Sequence, residues 1–139
     1  MVFCSGMPRS ASRWSLETCE ELEKLRTPKS KIDCGYLGES WISGKGQHFV
    51  DAFVSNAIKE NHDALIFQSH IFGDRVIKMI LGGMAKNIYT FRDPRDSIAS
   101  LMRNHGSAYE PAFDFVHSSL LLFDLFSEDR SSLLLPFPE

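Results

Sequence analysis

The 139-residue sequence lacks the marks of several large classes of protein. Its three cysteines are an odd number without a C-x-x-C pair, which argues against a disulfide framework or a zinc site and is typical of a reducing compartment. Lys and Arg number 15 against 18 Asp and Glu, so there is no basic excess of the kind that binds nucleic acid or an anionic membrane. No apolar run approaches the length of a membrane span. Any anion-binding site in this chain is therefore expected to be local.

A secretory signal peptide is not predicted either. The N-terminus has no basic region, and its apolar run is cut short by Arg9. We therefore expect a cytoplasmic location. With 43% hydrophobic and 24% charged residues, the composition is that of a globular protein, and the length fits one domain over residues 1–139.

Short apolar runs alternate with helical patterns along the chain. The runs predict three strands, Met1–Gly6, Ala64–Ser69 and Asn87–Phe91. Helices are predicted at about Trp14–Arg26, Gln47–Glu60, Asp74–Leu81, Asp93–Gly106 and Pro111–Phe126. The glycine-rich stretch Thr27–Gly46 is predicted to be a loop, and Ser132–Leu135 starts a further strand that Pro136 and Pro138 break. This alternation predicts the α/β class with a parallel sheet.

The first motif follows the first predicted strand and leads directly into a helix. It runs from Pro8 to Trp14 and reads Pro-Arg-Ser-Ala-Ser-Arg-Trp. A helix N-terminus leaves backbone N–H groups without partners, and these groups can hold a phosphate. Arg9 and Arg13 add positive charge, Ser10 and Ser12 add hydroxyl groups, Ala11 keeps the turn small, and Trp14 offers a flat ring. The alternative is a solvated turn beside a packed tryptophan.

The second motif, Phe91–Ser100, starts at the end of the third predicted strand. Open α/β sheets bind ligands beyond the carboxyl ends of their strands, where Arg92 lies. Ser100 is eight positions later, on the helix that Asp93 caps, and can share a phosphate with Arg92. Otherwise the segment is a capped helix with surface charge.

A histidine follows the second predicted strand in the segment Gln68-Ser69-His70. A single histidine is more often structural or merely exposed. Because His70 falls at the same sheet edge as the two motifs, it is a candidate base.

The three segments together resemble the sulfotransferases that use 3′-phosphoadenosine 5′-phosphosulfate. Pro8–Trp14 is similar to their 5′-phosphosulfate loop, P-[KR]-S-G-[ST]-[ST]-W, and Phe91–Ser100 to their 3′-phosphate motif. Gln68-Ser69-His70 is similar to the K-T-H segment of the cytosolic branch. The resemblance implies a P-loop NTPase-like three-layer fold and transfer of a sulfuryl group to a hydroxyl or amine of a small-molecule acceptor, without a metal.

The resemblance also implies a role for each motif residue. Arg9 would stabilise the bridging oxygen of the donor, and His70 would take the proton of the acceptor. The remaining positions would bind the nucleotide: Arg9, Ser10, Ala11, Ser12 and Arg13 at the 5′-phosphate, Trp14 on adenine, and Arg92 with Ser100 at the 3′-phosphate. Tyr36, Trp41 and Ile42 either line the acceptor pocket or are plain packing.

Three positions depart from the family pattern. Ala11 replaces a glycine, which costs about 1 kcal/mol or more if that position needs a positive φ. Arg13 replaces a hydroxyl residue. Gln68 replaces a lysine and so removes a positive charge.

By resemblance the chain corresponds to the N-terminal half of such a domain, with a sheet truncated after about three strands. An open sheet edge would then invite a partner chain or a second copy. Two other functions stay open. One is a nucleotide-binding or interaction module without catalysis. The other is a nucleoside-phosphate kinase, against which the missing Walker lysine argues.

Overall fold

The computed structural model describes residues 1–37 and 46–137, and it confirms the α/β class with a parallel sheet. Five strands and five helices follow one another within the described residues. In chain order they are β1 (Val2–Gly6), α1 (Ser12–Arg26), β2 (Ile32–Tyr36), α2 (Gly46–Lys59), β3 (Ala64–Ser69), α3 (Asp74–Leu81), β4 (Lys86–Phe91), α4 (Pro94–His105), α5 (Tyr109–Ser127) and β5 (Ser132–Pro136). The strand order in the sheet is β2-β3-β1-β4-β5, and every neighbouring pair is parallel.

The expectation of about three strands was wrong, because the sheet has five. Ile32–Tyr36 was predicted to be loop, yet it pairs with β3 from Ile32 opposite Ala64 to Tyr36 opposite Gln68. Its sequence, Ile-Asp-Cys-Gly-Tyr, shows no apolar run, so the strand depends on backbone pairing with β3. β5 also forms, and Pro136 is its last residue at the sheet edge, where a missing N–H costs little.

Alternate residues of the strands face opposite layers. On one face Phe3, Phe67 and Tyr89 belong to a buried cluster with residues of α3 and with Phe126 of α5. On the other face Cys4 and Gln68 reach α1, since the Cys4 sulfur lies 3.8 Å from that of Cys19 and the Gln68 amide lies 3.0 Å from the Ser12 hydroxyl. The sheet is therefore a middle layer with helices on both faces, which confirms the predicted three-layer fold.

Two local predictions are confirmed at α4. The Asp93 side chain accepts a hydrogen bond from the Arg95 N–H, with Pro94 at the first helical position. Gly106 ends the helix in the left-handed conformation, at φ 65°. On α1, by contrast, Leu22 and Leu25 are 59% and 77% exposed, so the apolar spacing there does not mark a buried face along the whole helix. None of the described helices is long and apolar enough to cross a membrane.

Candidate active site at the carboxyl edge of the central strands

The three sequence motifs meet at one edge of the sheet. They follow β1, β3 and β4, and β1 lies between the other two strands. Because the strands are parallel, their carboxyl ends all point to this edge. Arg9, His70 and Arg92 thus lie in the loops or at the ends of three adjacent strands.

Gly6 allows the first loop to turn tightly against β4. A Cβ on Gly6 would lie 2.2 Å from the Thr90 hydroxyl oxygen, so a side chain does not fit there. The next N–H, that of Met7, donates to the Thr90 carbonyl at 3.0 Å. Thr90, which the sequence analysis did not single out, therefore anchors the loop that precedes α1.

Ser10 lies beneath the loop instead of facing solvent. Only 1% of it is exposed. Its hydroxyl lies 2.6 Å from the Met7 carbonyl, 2.9 Å from the Thr90 carbonyl and 2.8 Å from the Thr90 hydroxyl. These contacts use the side chain to hold the loop against β4.

Ala11 adopts the left-handed conformation, with φ 68° and ψ 27°, immediately before α1. A glycine adopts this conformation without strain, whereas an alanine pays a steric cost. The replacement of glycine by Ala11 was expected to cost stability if this position needs a positive φ, and the position has one. Arg9 also has a positive φ, 64°, so two residues of this short loop are in the left-handed region.

The N-terminus of α1 is suited to an anion. Its first turn contains no acidic residue, and no side chain caps it. The first N–H groups of a helix have no acceptor within the helix, and the helix dipole adds partial positive charge there. The hydroxyl of Ser12 lies at this end and accepts a hydrogen bond from Gln68 at 3.0 Å, so its own hydrogen can be donated elsewhere.

Arg9 joins the first and second motifs. Its Nε donates to the Ser100 hydroxyl at 3.3 Å, and its carbonyl accepts from Nη1 of Arg92 at 3.2 Å. Asn104, four residues after Ser100 on α4, also donates to that hydroxyl at 3.0 Å. Asn104 was not identified from the sequence, although residues four apart on a helix are neighbours and its spacing to Ser100 could have indicated the contact. Arg92 and Ser100 are therefore connected through Arg9.

Arg92 is packed between an aromatic ring and a carboxylate. Its guanidinium carbon lies 4.8 Å from the centre of the Phe137 ring, and Nη2 lies 3.5 Å from an Asp96 oxygen. Its Nε is buried and has no hydrogen-bond partner among the described residues. The side chain lines a cleft of about 570 Å³ together with Met7 and Phe91.

The His70 ring has a defined orientation. Nδ1 lies 2.9 Å from the Gly6 carbonyl, and because a carbonyl oxygen only accepts, Nδ1 carries the proton. In the neutral ring the basic nitrogen is then Nε2. The Phe115 ring packs edge-on at 5.9 Å between ring centres. The fold thus selects the tautomer that a general base at Nε2 requires.

A second cleft, of about 860 Å³, opens beside Arg9 and His70. Arg9, Ser12, Arg13, Gln68 and His70 contribute polar walls, and Leu101 and Phe115 contribute apolar ones. Tyr36 also lines this cleft, while Trp41 and Ile42 lie outside the described residues.

Arg13 and Trp14 are both exposed on α1. Arg13 forms an ion pair with Glu17 at 3.0 Å across one helical turn, and Trp14 is 60% exposed. Neither contacts the second motif through a hydrogen bond in the described part of the chain. The same part contains no group of three or more His, Cys, Asp or Glu side chains arranged to hold a metal ion.

Comparison with protein families gives one match that covers nearly the whole chain. The model of the sulfotransferase domain matches residues 2–132. Curated proteins gave no match. The matched range contains all three motifs, the strands β1 to β4 and the first residue of β5.

Proposed function

Because this chain belongs to the sulfotransferase domain family, we propose that it transfers a sulfuryl group from 3′-phosphoadenosine 5′-phosphosulfate to a hydroxyl or amine acceptor. The observation that carries this proposal is the position of Arg9. Its side chain contacts Ser100 and its carbonyl contacts Arg92, so the loop of the first motif and both polar residues of the second form one connected site.

The residues at the start of α1 fit the 5′ end of such a nucleotide. The helix begins without an acidic residue or a side-chain cap, and Arg9 and Arg13 both line the cleft at this point. Ser12 has a hydroxyl hydrogen to donate. Ser10 fits less well, because its hydroxyl is already bonded to Met7 and Thr90; its part in the site is to shape the loop.

Arg92 fits a phosphate in a different way. Its Nε is buried without a hydrogen-bond partner in the described structure, and a buried donor of this kind costs free energy until an acceptor reaches it. An anionic oxygen is the strongest acceptor for a guanidinium group. Ser100, bound to Arg9, provides a hydroxyl hydrogen for the same anion.

The donor, when bound, supplies the sulfuryl group and a phosphate leaving group. Such a transfer depends on alignment and on stabilisation of charge on the equatorial and leaving oxygens. Arg9 supplies positive charge at the loop. Nε2 of His70 accepts the proton of the acceptor's hydroxyl or amine, while Nδ1 keeps its hydrogen bond to the Gly6 carbonyl. Trp14, on the exposed side of α1, presents its ring for stacking on adenine.

The acceptor is proposed to be a small molecule that enters the 860 Å³ cleft. Leu101 and Phe115 provide apolar surface in this cleft, and Tyr36 provides an aromatic ring. A cytoplasmic location, in line with the cysteine usage, is part of the same proposal.

The experiment is thermal unfolding of the purified chain in rising concentrations of 3′-phosphoadenosine 5′-phosphate. Binding to the native state stabilises it by mass action, by about 2.7 kcal/mol at a concentration one hundred times Kd. We expect the unfolding midpoint to rise by several degrees. Adenosine 5′-monophosphate, which lacks the 3′-phosphate, is the matched control and should give a much smaller shift.

The outcomes separate the competing functions. A shift that is specific to the 3′-phosphorylated nucleotide, followed by sulfuryl transfer in an acceptor screen, supports the proposal. The same shift without transfer to any acceptor indicates the binding module without catalysis. A larger shift with ATP and magnesium favours the kinase, and a folded chain without any shift contradicts nucleotide binding.

A further inference from the structure

Two of the three cysteines are in contact, although they lie 15 residues apart in sequence. Cys4 is in β1 and has no exposed surface, and Cys19 is half-buried on α1. The Cys4 thiol donates to the Cys19 sulfur across 3.8 Å. Cys34, in the edge strand β2, is also half-buried and is a free thiol like the other two. None of them has a part in the proposed transfer reaction.

The two contacting thiols differ in access to solvent. Cys19 lines an open cleft of about 560 Å³ between α1 and the β4–β5 side of the sheet, together with Leu22, Ile88 and Leu133. Cys4 lies directly behind it. A small oxidant that enters this cleft therefore meets Cys19 first and finds a second thiol next to it.

The environment also favours Cys19 as the attacking group. The hydrogen bond from Cys4 lowers the pKa of the Cys19 thiol, whereas that same bond and burial raise the pKa of Cys4. Burial, followed by the nearby Glu20 carboxylate, raises the pKa of Cys34 to about 11. Since the thiolate is the reactive form, Cys34 is a poorer nucleophile than Cys19.

We propose that Cys4 and Cys19 form an oxidisable dithiol, which hydrogen peroxide converts into a disulfide that joins β1 to α1. In the first step the Cys19 sulfur attacks one peroxide oxygen, the O–O bond breaks, and hydroxide leaves and is protonated to water. In the second step the Cys4 sulfur attacks the resulting sulfenic acid, an S–S bond replaces the S–O bond, and the hydroxyl group leaves with the Cys4 proton as water. Two thiols thus lose two electrons and two protons while one peroxide becomes two waters.

The bond requires the two sulfur atoms to move closer together. The two sulfurs must approach from 3.8 Å to about 2.05 Å. The closed loop then contains the whole segment from the end of β1 to the second turn of α1, including Arg9 and Ala11. In a reducing compartment such a bond is transient, as expected of a redox-sensing pair. The dithiol itself does not depend on the proposed transfer activity.

The sequence contains its own control for the test. Cys4 and Cys19 are 15 residues apart, and so are Cys19 and Cys34. In an unfolded chain the two loops have the same closure entropy, and the two disulfides should form in similar amounts. Only the folded structure distinguishes the pairs.

The reduced 139-residue chain is treated with less than one equivalent of hydrogen peroxide, once folded and once in urea, and remaining thiols are alkylated. Trypsin separates the three cysteines into the peptides Met1–Arg9, Trp14–Lys24 and Ile32–Lys45, so mass spectrometry identifies each pair. We expect the Cys4–Cys19 disulfide to exceed the Cys19–Cys34 disulfide at least tenfold in the folded chain and by less than twofold in urea. Dithiothreitol should restore the free thiols.

Two variants complete the test. Cys34→Ser should leave the yield of the Cys4–Cys19 disulfide unchanged, and Cys19→Ser should leave Cys4 reduced, with folding checked by circular dichroism. Equal amounts of the two disulfides in the folded parent chain would overturn the proposal. So would accumulation of sulfinic acid on Cys19 with Cys4 still a thiol. Both decisive results come from the parent chain, so they stand even if a variant does not fold.

Discussion

Arg92 is surrounded by groups that hold its guanidinium without satisfying it completely. Nη1 donates to the Arg9 carbonyl, Nη2 faces Asp96, and the Phe137 ring packs against the plane, while Nε lacks a partner in the described part of the chain. This arrangement orients the side chain before any ligand arrives. Pre-organisation of this kind lowers the entropic cost of binding.

Arg92→Ala should therefore weaken binding of 3′-phosphoadenosine 5′-phosphate. Hydrogen bonds to charged groups contribute about 1.5–3 kcal/mol, which corresponds to a Kd about 10-fold to 150-fold higher. The measurement is isothermal titration calorimetry on both proteins. Arg95→Ala removes the same charge from the first turn of α4, where the side chain is exposed and pairs with Asp93. Equal losses in the two variants, or no loss in Arg92→Ala, would remove Arg92 from the site.

His70 can be tested with a substitution that separates its two nitrogens. In His70→Asn the side-chain amide keeps a donor near the position of Nδ1, which bonds Gly6, but offers nothing at the position of Nε2. We expect turnover to fall by about two orders of magnitude or more, with nucleotide affinity nearly unchanged. The measurement is the rate of sulfuryl transfer to an acceptor found by screening. Turnover equal to that of the parent chain would assign the base to another residue.

The loop between β1 and α1 combines a tight approach to β4 with a residue that is unfavourable in its conformation. The Met7 N–H and the Ser10 hydroxyl bond the loop to Thr90, and this attachment holds Ala11 at φ 68°. Strain that persists in such a loop is sustained by the surrounding contacts.

Ala11→Gly should relieve this strain. A left-handed alanine costs about 1–2 kcal/mol, part of which the greater flexibility of glycine in the unfolded chain cancels. We expect the free energy of unfolding in urea to rise by about 0.5–1 kcal/mol. Ala99→Gly, in the exposed middle of α4, is the matched control and should lower it by about 1 kcal/mol. A loss of stability in both variants would contradict the strain at Ala11.

The N-terminal cap of α4 makes the stability of the folded protein depend on pH. Side-chain and backbone hydrogen bonds from Arg95 lower the pKa of Asp93 from its ordinary value of 3.8 to about 2. Because the folded-state pKa is below the unfolded one, the cap contributes its full stability above about pH 4 and loses it as the pH falls towards 2.

Asp93→Ala should lower the unfolding midpoint by a few degrees at pH 7, since an N-cap acceptor is lost. The difference from the parent chain should shrink as the pH is lowered from about 4 to 2 in thermal scans. Asp93→Asn keeps a capping oxygen without the charge and should fall between the two at pH 7. A difference that stays constant down to pH 2 would show that the carboxylate charge does not stabilise the cap.

For the molecule as a whole, the buried core lies mainly on the face of the sheet that α3 and α5 cover. Phe126 of α5 is fully buried there, and its ring lies 5.9 Å from Tyr89 and 6.2 Å from Phe72. Tyr89 extends this packing to α5 through a hydrogen bond from its hydroxyl to the Ser119 carbonyl. One helix is thus joined to the centre of the sheet by both apolar and polar contacts.

Phe126→Ala should remove about 3–5 kcal/mol from the free energy of unfolding, because it leaves a cavity beneath the sheet. Phe113→Ala is the control on the same helix. Phe113 is 43% exposed and packs against Tyr109 and His117, so its loss should cost less than about 1 kcal/mol. Urea denaturation of both variants is the measurement. Similar losses in the two would mean that α5 is not anchored through Phe126.

Local pattern was enough to predict most elements and the three motifs. β1, β3 and β4 are apolar runs next to turn residues, and the Asp93-Pro94 start and Gly106 end of α4 are signals that act within a few residues. For the same reason the order of strand, loop and helix around Arg9 could be predicted from the sequence alone. The family match over residues 2–132 confirms the family inferred from these motifs.

Contacts between distant segments decided the rest. β2 exists as a strand because β3 offers it backbone partners, and its own residues show no strand pattern. Ser10 is withdrawn from solvent because β4 brings Thr90 beside it, 80 residues later in the chain. Cys4 and Cys19 meet because α1 packs on β1, and Arg9 contacts Ser100 because α4 follows the neighbouring strand. The sequence by itself determined the family and most of the regular segments, and it indicated which residues are candidates for chemistry, since those signals are local. Only the tertiary structure decided which of these side chains meet, because meeting depends on backbone pairing and packing between residues far apart in the chain.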